Sequence, residues 1–406
     1  MTRHRLEVAD VFRTHAPQFM DQYGSSLSRD QRRAFRAIVA CRTSQLGGHL
    51  LQCNRCGRER ISYNSCRNRH CPKCQAMARA EWVDARAAEL LPVPYFHVVF
   101  TLPHAIGPVA LQNKRIIYGI LFKAASETLK EVAADPKHLG AEIGILAVLH
   151  TWGSNLMHHP HLHCVLTGGG IALDGSRWVH CKRSRRKKPF FAPVRVLSRI
   201  FRGKFIDLLK RAFRKGDLKF HGQLAGLSKP NAFENLLNVL VRKDWVVYAK
   251  RPSGAEHVLK YLARYTHSIA ISNRRLVEMK DGKVTFRWKD YADGGKTKTM
   301  TLNATEFIRR FLLHVLPSGF VRIRHYGFLA NRGRSEKLAV CRLLLGVWTD
   351  RNKSDDRQSN EHQEKPESCE RCPICNGLMI IVQHIPNVGT AARPQVAAVA
   401  CRSPPN

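Results

Sequence analysis

The sequence predicts an α+β fold, in which an antiparallel sheet flanked by helices follows a small helical region rich in cysteine. From residue 95 onward, short β-branched and aromatic runs alternate with long amphipathic runs, as strands and helices do. Before residue 48 the periodicity is helical only, and cysteines cluster between residues 53 and 74. Hydrophobic residues make up 44% of the 406 residues, which is enough to bury a sizeable core.

Local patterns predict the individual elements. Ser28 is a suitable N-cap for the second of two N-terminal helices, and Pro92 and Pro94 end the helix "ARAEWVDARAAELL". "YFHVVFTL" predicts a buried strand, and "GILAVLHTW" and "HLHCVLTGGG" predict two neighbouring antiparallel strands. "KRIIYGILFKAASETLKEVAA" and the strongly basic "VLSRIFRGKFIDLLKRAFRKG" predict helices. Asp281-Gly282 predicts the turn of a hairpin, and the polar run after residue 350 predicts a linker.

The net charge indicates the class of partner. Sixty-seven Lys and Arg face 31 Asp and Glu, which gives a formal charge of +36. Such an excess favours a nucleic acid, whose phosphates bind basic side chains with release of counterions. A merely basic soluble protein and an anionic membrane partner are the alternatives. No apolar run reaches 18 residues and the N-terminus lacks a signal peptide, so we expect a protein of the reducing cytosol and no membrane partner.

The cysteine cluster predicts structural zinc, because a reducing cytoplasm favours metal sites over disulfides. "CNRC" and "CPKC" are two C-x-x-C knuckles separated by 14 residues. Two knuckles supply four thiolates, which complete a closed tetrahedral zinc site. The predicted ligands are Cys53, Cys56, Cys71 and Cys74.

Several nearby residues are alternative ligands. Cys66 and His70, and also Cys41 and His49, could replace a member of the site or hold a second ion. Near the end of the chain, "CERCPIC" could form part of another zinc knuckle. Its thiols are Cys369, Cys372 and Cys375, with a fourth ligand such as His384 or Cys401.

The run "HHPHLHC", residues 158–164, predicts an open metal site. Residues two apart on a strand share a face, so His159, His161 and His163 point to one side and Leu162 points to the core. Two imidazoles side by side can bind one divalent ion, and so few ligands indicate a catalytic site.

"KYLARYTH" places Tyr261 and Tyr265 four residues apart, on one face of a predicted helix. Such a pair is usually packing. In a basic, metal-assisted context, however, a phenol can attack a scissile phosphate as a covalent nucleophile.

Together these motifs resemble the HUH endonucleases, which nick single strands in rolling-circle replication and transposition. Their order along the chain is similar to that of the two-tyrosine transposases of the insertion sequence 91 family, which carry an N-terminal zinc-binding domain. The resemblance covers most of residues 5–346 and includes "SCRNRHCPKCQ" and "YFHVVFTLPH". It implies an HUH-endonuclease-like antiparallel sheet with the histidine strand at its centre. It also implies a bacterial cytoplasmic protein that is associated with the nucleoid.

The resemblance also implies a mechanism. His161 and His163 would hold Mg or Mn, and Tyr261 or Tyr265 would attack single-stranded DNA at the element's ends. The product would be a 5′-phosphotyrosine whose strand is later transferred to target DNA. His257 is a candidate third ligand, with Glu256 and His267 as alternatives, and His158 and His159 are accessory.

The expected DNA contacts lie on basic segments. The basic helix near 196–215 and the run 182–188 could follow the DNA backbone. The individual candidates are Arg67, Arg69, Lys73, Lys260 and Arg264.

We therefore predict a helical, zinc- and DNA-binding domain at 1–90, a catalytic domain at 91–346 and a flexible tail with a possible zinc knuckle at 347–406. The predicted function is a transposase that nicks and transfers DNA strands. The alternatives are a replication initiator nickase and a zinc-dependent DNA-binding regulator without catalysis. The sequence does not indicate an oligomeric state.

Overall fold

The protein is described from a computed structural model of the 406-residue chain. The structure describes residues 6–182, 191–253, 269–291, 293–347 and 370–388.

Ten α-helices lie in these ranges. In chain order they are α1 Val8–Thr14, α2 Ala16–Tyr23, α3 Arg29–Ala40, α4 Pro72–Ala87, α5 Gly107–Gln112, α6 Lys114–Ala134, α7 Val194–Arg214, α8 Pro230–Arg242, α9 Ala304–Leu313 and α10 Arg334–Leu344. The same ranges contain twelve strands. They are β1 Gly48–Cys53, β2 Glu59–Tyr63, β3 Tyr95–Thr101, β4 Ala141–Trp152, β5 His158–Ala172, β6 Trp178–His180, β7 Val247–Ser253, β8 Leu276–Lys280, β9 Lys283–Asp290, β10 Lys296–Asn303, β11 Ile323–Gly327 and β12 Met379–Ile385.

The largest sheet has the strand order β11-β4-β5-β3-β7, with β6 paired to β5. Every pairing in it is antiparallel. β5, which begins with the histidine run, lies between β4 and β3. The predicted α+β class, the central histidine strand and its predicted neighbour are therefore confirmed.

The two faces of this sheet are covered differently. On one face Leu162, Cys164 and Leu166 of β5 are fully buried in the large core, together with residues of α6, α7 and α8. The apolar stripe of α7 explains its place there, because its leucines and phenylalanines face the sheet and its basic residues face outward. On the other face, Val165 of β5 packs in a smaller cluster with residues of α10. His161 and His163 lie on the same face as Val165, next to this cluster along β5.

A second core joins the N-terminal helices to a later part of the chain. Ring centroids of Phe12 in α1 and Phe311 in α9 lie 5.3 Å apart, edge to face. The same core contains Val284 and Phe286 of β9, in the sheet β10-β9-β8. The predicted boundary at residue 90 therefore does not separate two cores.

Two predicted local signals are confirmed. Ser28 caps α3: its Oγ accepts a hydrogen bond from the Gln31 amide, and the Gln31 side chain accepts one from the Ser28 amide. Asp281 and Gly282 form the turn between β8 and β9, with φ of 49° and 69°. Both residues then lie in the left-handed region, as a tight two-residue hairpin requires.

A third sheet brings together distant parts of the chain, in the order β12-β1-β2. β12 pairs with β1 from Gly48↔Ile385 to Cys53↔Met379. The expectation of a flexible tail is therefore wrong for residues 370–388, which pair with the cysteine-rich N-terminal segment 48–74 (the N-terminal head). Among the described helices, none has both the length and the apolar character needed to cross a membrane.

Candidate active site and metal centres

Three histidines from two neighbouring strands form one cluster. His161 and His163 lie on the same face of β5, and His150 of β4 is directly opposite His161 in the register. A ring nitrogen from each of the three can be chosen so that all lie within 4.8 Å of one another. The cluster is largely shielded, with His150 2% and His163 8% exposed.

Hydrogen bonds at Nδ1 orient the two β5 imidazoles. The Nδ1 of His161 lies 2.7 Å from the carbonyl oxygen of His159, which requires a proton on Nδ1 and leaves the Nε2 lone pair for a metal. The Nδ1 of His163 lies 2.9 Å from Nε2 of His97 in β3. The rings of His97 and His163 are 5° from parallel with centroids 5.1 Å apart, so they lie nearly end to end in one plane, as a hydrogen bond between two ring nitrogens requires. Such outer contacts fix the direction in which a metal-binding imidazole points.

Burial keeps two of the three histidines, His161 and His163, uncharged. It lowers the pKa of His161 to about 4 and the pKa of His163 well below its usual value. Both imidazoles are therefore neutral at pH 7, which is the form that binds metal.

The donor set decides which ions fit. The cluster offers only imidazole nitrogens, and no carboxylate joins it among the residues that the structure describes. Imidazole binds transition metals well, whereas Mg usually needs carboxylate, water or phosphate oxygens. These residues therefore fit a divalent transition metal directly, and Mg with oxygens supplied by water or substrate.

The sequence identified part of this site. His161 and His163 lie together as predicted, while His150 and His97 were missed. His158 lies on the opposite face, where its Nε2 is 2.9 Å from the hydroxyl of Tyr118. The predicted residues of the segment 254–268 lie outside the described residues. They are the two tyrosines, three candidate metal ligands and two candidate DNA contacts: Tyr261, Tyr265, Glu256, His257, His267, Lys260 and Arg264.

The first cysteine group closes the end of α3 against the start of α4. Cys41 is the C-cap of α3, Cys71 is the N-cap of α4, and Cys74 lies in its first turn. Cys41 and Cys66 each have their sulfur 3.6 Å from that of Cys74, and the Cys71 sulfur is 3.7 Å from that of Cys41. Sulfurs around one zinc ion at 2.3 Å are about 3.8 Å apart, so four thiolates here fit zinc.

The prediction that the two knuckles bind one ion together is wrong. Cys71 and Cys74 belong to the group with Cys41 and Cys66, whereas Cys53 and Cys56 form a second group with Cys372 and Cys375. The physical reason is that the first knuckle lies in the turn of the β1–β2 hairpin, whereas the second begins α4, beside Cys41 at the end of α3. Cys66, an alternative ligand in the sequence, is a full member of the first group.

His70 is not a candidate ligand. Its Nδ1 lies 3.2 Å from the Asn68 side-chain oxygen, and its Nε2 accepts a hydrogen bond from the Leu316 amide. Both nitrogens are therefore used within the protein. Burial, followed by nearby basic groups, lowers the pKa of His70 to about 3.

Two of the predicted DNA-binding residues, Arg69 and Lys73, instead make contacts within the protein. The Arg69 guanidinium donates hydrogen bonds to the carbonyls of Leu316, Pro317 and Phe320, so it fastens the cysteine loop to a later loop. Lys73 pairs with Glu7. Arg67 is exposed and remains suitable for binding DNA.

The basic helix α7 also differs from the expectation. Three of its basic residues pair with acids of neighbouring elements: Lys204 with Glu131, Lys210 with Glu234, and Arg202 with Asp244. Much of its charge is therefore compensated within the protein. Of the run 182–188, all but Lys182 lies outside the described residues.

A different basic surface lies on α3. Arg29, Arg33 and Arg36 are exposed and line one cleft. Arg33 also lines an adjoining cleft with Arg67. Within the described part of the chain, these α3 arginines have no acidic partner in an ion pair. The arginines of this surface are visible in the sequence as "SRDQRRAFRAIVA". From the sequence alone, however, a basic helix face that binds DNA could not be distinguished from one that only faces solvent.

Comparisons with known proteins agree with this architecture. A family model described as "Putative transposase" matches residues 144–337, and one described as "Transposase zinc-binding domain" matches residues 11–102. The chain is 54% identical over 390 residues to "Putative transposase y4qJ" of Sinorhizobium fredii, covering 94% of this chain and 96% of the relative.

A second relative is more distant. The chain is 27% identical over 303 residues to "Transposase for insertion sequence element IS801" of Pseudomonas savastanoi pv. phaseolicola, covering 73% of this chain and 69% of that one. No solved structure matches the chain. The near full-length relative and the two family models, added to the histidine and cysteine centres, show that the chain belongs to the insertion sequence 91 family of transposases.

Proposed function

We propose that this transposase nicks single-stranded DNA at the ends of its element through Tyr261 or Tyr265, with the help of a divalent ion at the histidine cluster. The observation that supports the proposal most is the convergence of His150, His161 and His163 on one point. In this proposal His150 takes the place of the third ligand that the sequence sought at His257.

The proposed reaction is a transesterification. The tyrosine hydroxyl attacks the scissile phosphorus, a bond from the phenol oxygen to phosphorus forms, and the bond to the 3′ oxygen breaks. The phenol loses a proton and the departing 3′ oxygen gains one. Mg or Mn held by the cluster would act as a Lewis acid toward the scissile phosphate. His97 and the His159 carbonyl would hold the ligand rings in place, and a second tyrosine would allow the strand to be passed on to target DNA.

Chain connectivity supports the choice of nucleophile. β7 ends at Ser253, which pairs with Tyr95 of β3, and Val99, four residues along β3, pairs with His163. At roughly 3.3 Å per residue and about 4.8 Å per strand spacing, Ser253 is about 13 Å along the strands and about 10 Å across them from His163, or roughly 16 Å in all. The chain from Ser253 to Tyr261 can extend up to about 26 Å, so the tyrosine is within reach of the cluster.

We also propose that Cys41, Cys66, Cys71 and Cys74 hold a structural zinc ion. The fit of the sulfur spacing and the burial of Cys41 and Cys71 support this choice. This ion would fix the junction between α3, which carries the exposed arginines, and α4.

We predict that the double variant Tyr261→Phe/Tyr265→Phe forms no covalent DNA adduct. Phenylalanine keeps the ring but removes the nucleophilic oxygen. The test incubates the full chain with labelled single-stranded DNA carrying the element's ends and Mn, and follows an adduct that survives denaturing electrophoresis. Tyr291→Phe is the control, because Tyr291 is an exposed tyrosine in the turn between β9 and β10.

The outcomes separate the rival functions. Adduct formation by the wild type and by Tyr291→Phe, lost in the double variant, supports the tyrosine mechanism. Binding without any adduct would favour a DNA-binding regulator. Nicking that survives the double substitution would show that another nucleophile acts. A replication initiator would form the same adduct but would not join the element's ends to a target strand.

We predict that replacing Arg29, Arg33 and Arg36 with alanine weakens DNA binding and reduces its salt dependence. Each lost phosphate contact lowers the slope of log affinity against log salt by about 0.7 for single strands. Fluorescence anisotropy between low and moderate salt measures both quantities.

Arg211→Ala is the matched control, because Arg211 of α7 already pairs with Asp207. We expect it to change the salt slope little. A wild-type slope in the α3 triple variant would exclude this surface as a DNA contact.

A further inference from the structure

The C-terminal segment 370–388 is held against the N-terminal head by more than strand pairing. Beyond the β12–β1 ladder, the Asn54 amide donates to the Leu378 carbonyl, and the Leu378 amide donates to the Asn54 side chain. Arg60 of β2 forms an ion pair with Glu370. Residues more than 300 positions apart in the sequence thus meet in one small unit.

The two C-x-x-C turns of this unit have the same backbone geometry. In "CNRCGR" the Gly57 amide donates to the Cys53 carbonyl, and the Cys53 amide donates to the Arg58 carbonyl. In "CPICNG" the Asn376 amide donates to the Cys372 carbonyl, and the Cys372 amide donates to the Gly377 carbonyl. Gly57 and Asn376, which follow the second cysteine of each turn, both have positive φ, 70° and 58°. Both turns are therefore complete knuckles of the kind that grips a metal ion with two sulfurs.

The four sulfurs of the facing knuckles are spaced as ligands of one ion. The sulfurs of Cys53 and Cys375 lie 3.4 Å apart and those of Cys56 and Cys372 lie 3.7 Å apart, and all four lie within 4.8 Å of one another. None of them is in a disulfide. These distances are close to the roughly 3.8 Å edge of a zinc tetrathiolate.

A glycine lets the second knuckle approach the first. A β-carbon at residue 377 would lie 2.8 Å from the Cys53 sulfur, which is too close for any side chain. Glycine there allows the backbone of one turn to lie against a sulfur of the other.

Apolar packing contributes little to the stability of this unit. Its buried core consists of Leu51, Met379 and two of the four cysteines, Cys53 and Cys372. Isoleucines on its strands remain about half exposed, among them Ile61 and Ile380. So small a core stabilises little by itself, and small domains of this kind usually depend on a metal or a disulfide.

We propose that Cys53, Cys56, Cys372 and Cys375 bind a second structural zinc ion, which fastens the C-terminal segment to the N-terminal head. This ion would lie nearer the surface than the first. In its group Cys56 is exposed and Cys375 half-buried, whereas in the first group only Cys66 is half-buried and the other three cysteines are buried. A chelator therefore removes the second zinc first and releases β12, while the first zinc stays.

The full-length protein tests this with two measurements. The histidine cluster can add a further zinc ion, so elemental analysis compares the proteins by difference. The wild type and the control Cys181→Ser, whose cysteine belongs to neither group, should hold the same amount of zinc. Cys372→Ser/Cys375→Ser should hold one zinc ion fewer. Hydrogen exchange should show β12, residues 379–385, protected in the wild type and exchanging rapidly in the double variant.

Stepwise chelation of the wild type covers the case in which the variant does not fold. We expect protection of β12 to be lost while the zinc ion at Cys41, Cys66, Cys71 and Cys74 stays bound. One zinc per wild-type chain, equal zinc contents in the wild type and the double variant, or β12 protection that persists until the last zinc leaves would each overturn the proposal.

Discussion

His163→Ala is expected to lower the rate of DNA nicking by about 100-fold or more, because in the proposed mechanism it removes a ligand of the ion that would polarise the scissile phosphate. His150→Ala should have a comparable effect, which distinguishes a ligand on β4 from one supplied elsewhere. Single-turnover nicking across a range of Mn concentrations measures the loss. Part of it should be recovered at high Mn, since the remaining imidazoles still bind weakly.

His97→Phe should have a weaker effect than these two variants, because it changes a contact of a metal ligand and not the ligand itself. Phenylalanine keeps an aromatic ring of similar shape beside His163 but removes the hydrogen bond to its Nδ1. We expect Mn affinity to fall by about 10- to 100-fold, with nicking restored at saturating Mn. His180→Ala, at the exposed end of β6, is the control. Wild-type rates for His163→Ala at every Mn concentration would exclude the cluster as the metal site of the reaction.

Cys71→Ser is expected to remove one zinc ion and to lower the melting temperature by about 5 °C or more. Cys71 is 1% exposed and lies in the core shared by the N-terminal helices and α9. Loss of the ion there leaves buried thiols without their partner and loosens that whole core. Differential scanning fluorimetry and zinc analysis of the same samples measure both effects.

The matched variants locate the effect. Cys56→Ser should also cost one zinc, but it should unfold only the small sheet and leave the main transition unchanged. Cys181→Ser should change neither quantity. A Cys71→Ser protein with full zinc content and an unchanged melting temperature would contradict the assignment of this group.

Local patterns predicted most of the fold. Strand alternation, the cap at Ser28 and the turn at Asp281-Gly282 depend on neighbouring residues only, so they can be read along the chain. The antiparallel pairing of β4 and β5 was also predictable, because a short connection favours neighbouring strands. The position of β12 was not, since its partner β1 is more than 300 residues away and no local pattern encodes that pairing.

The same limit explains the errors at the sites. Spacing alone favoured a zinc site made of two consecutive knuckles, and only the hairpin geometry separates them. His150 and His97 were missed because a single histidine in a strand gains meaning only from its register with β5. Arg69 was expected to bind DNA, but its guanidinium donates hydrogen bonds to carbonyls of the loop 316–320. This contact joins residues about 250 positions apart, so no local pattern in the sequence indicates it.

The central claim is that a tyrosine of this chain becomes covalently attached to DNA beside the histidine cluster. Trypsin can test it directly, because cleavage after Lys260, Arg264 and Arg274 separates "YLAR" from "YTHSIAISNR". Mass spectrometry of the digested adduct, after nuclease trimming of the DNA, should place a 5′-phosphonucleotide on Tyr261 or Tyr265, and only when Mn or Mg is present. A nucleotide attached to any other residue, or cleavage of the element's end without a covalent adduct, would contradict the account.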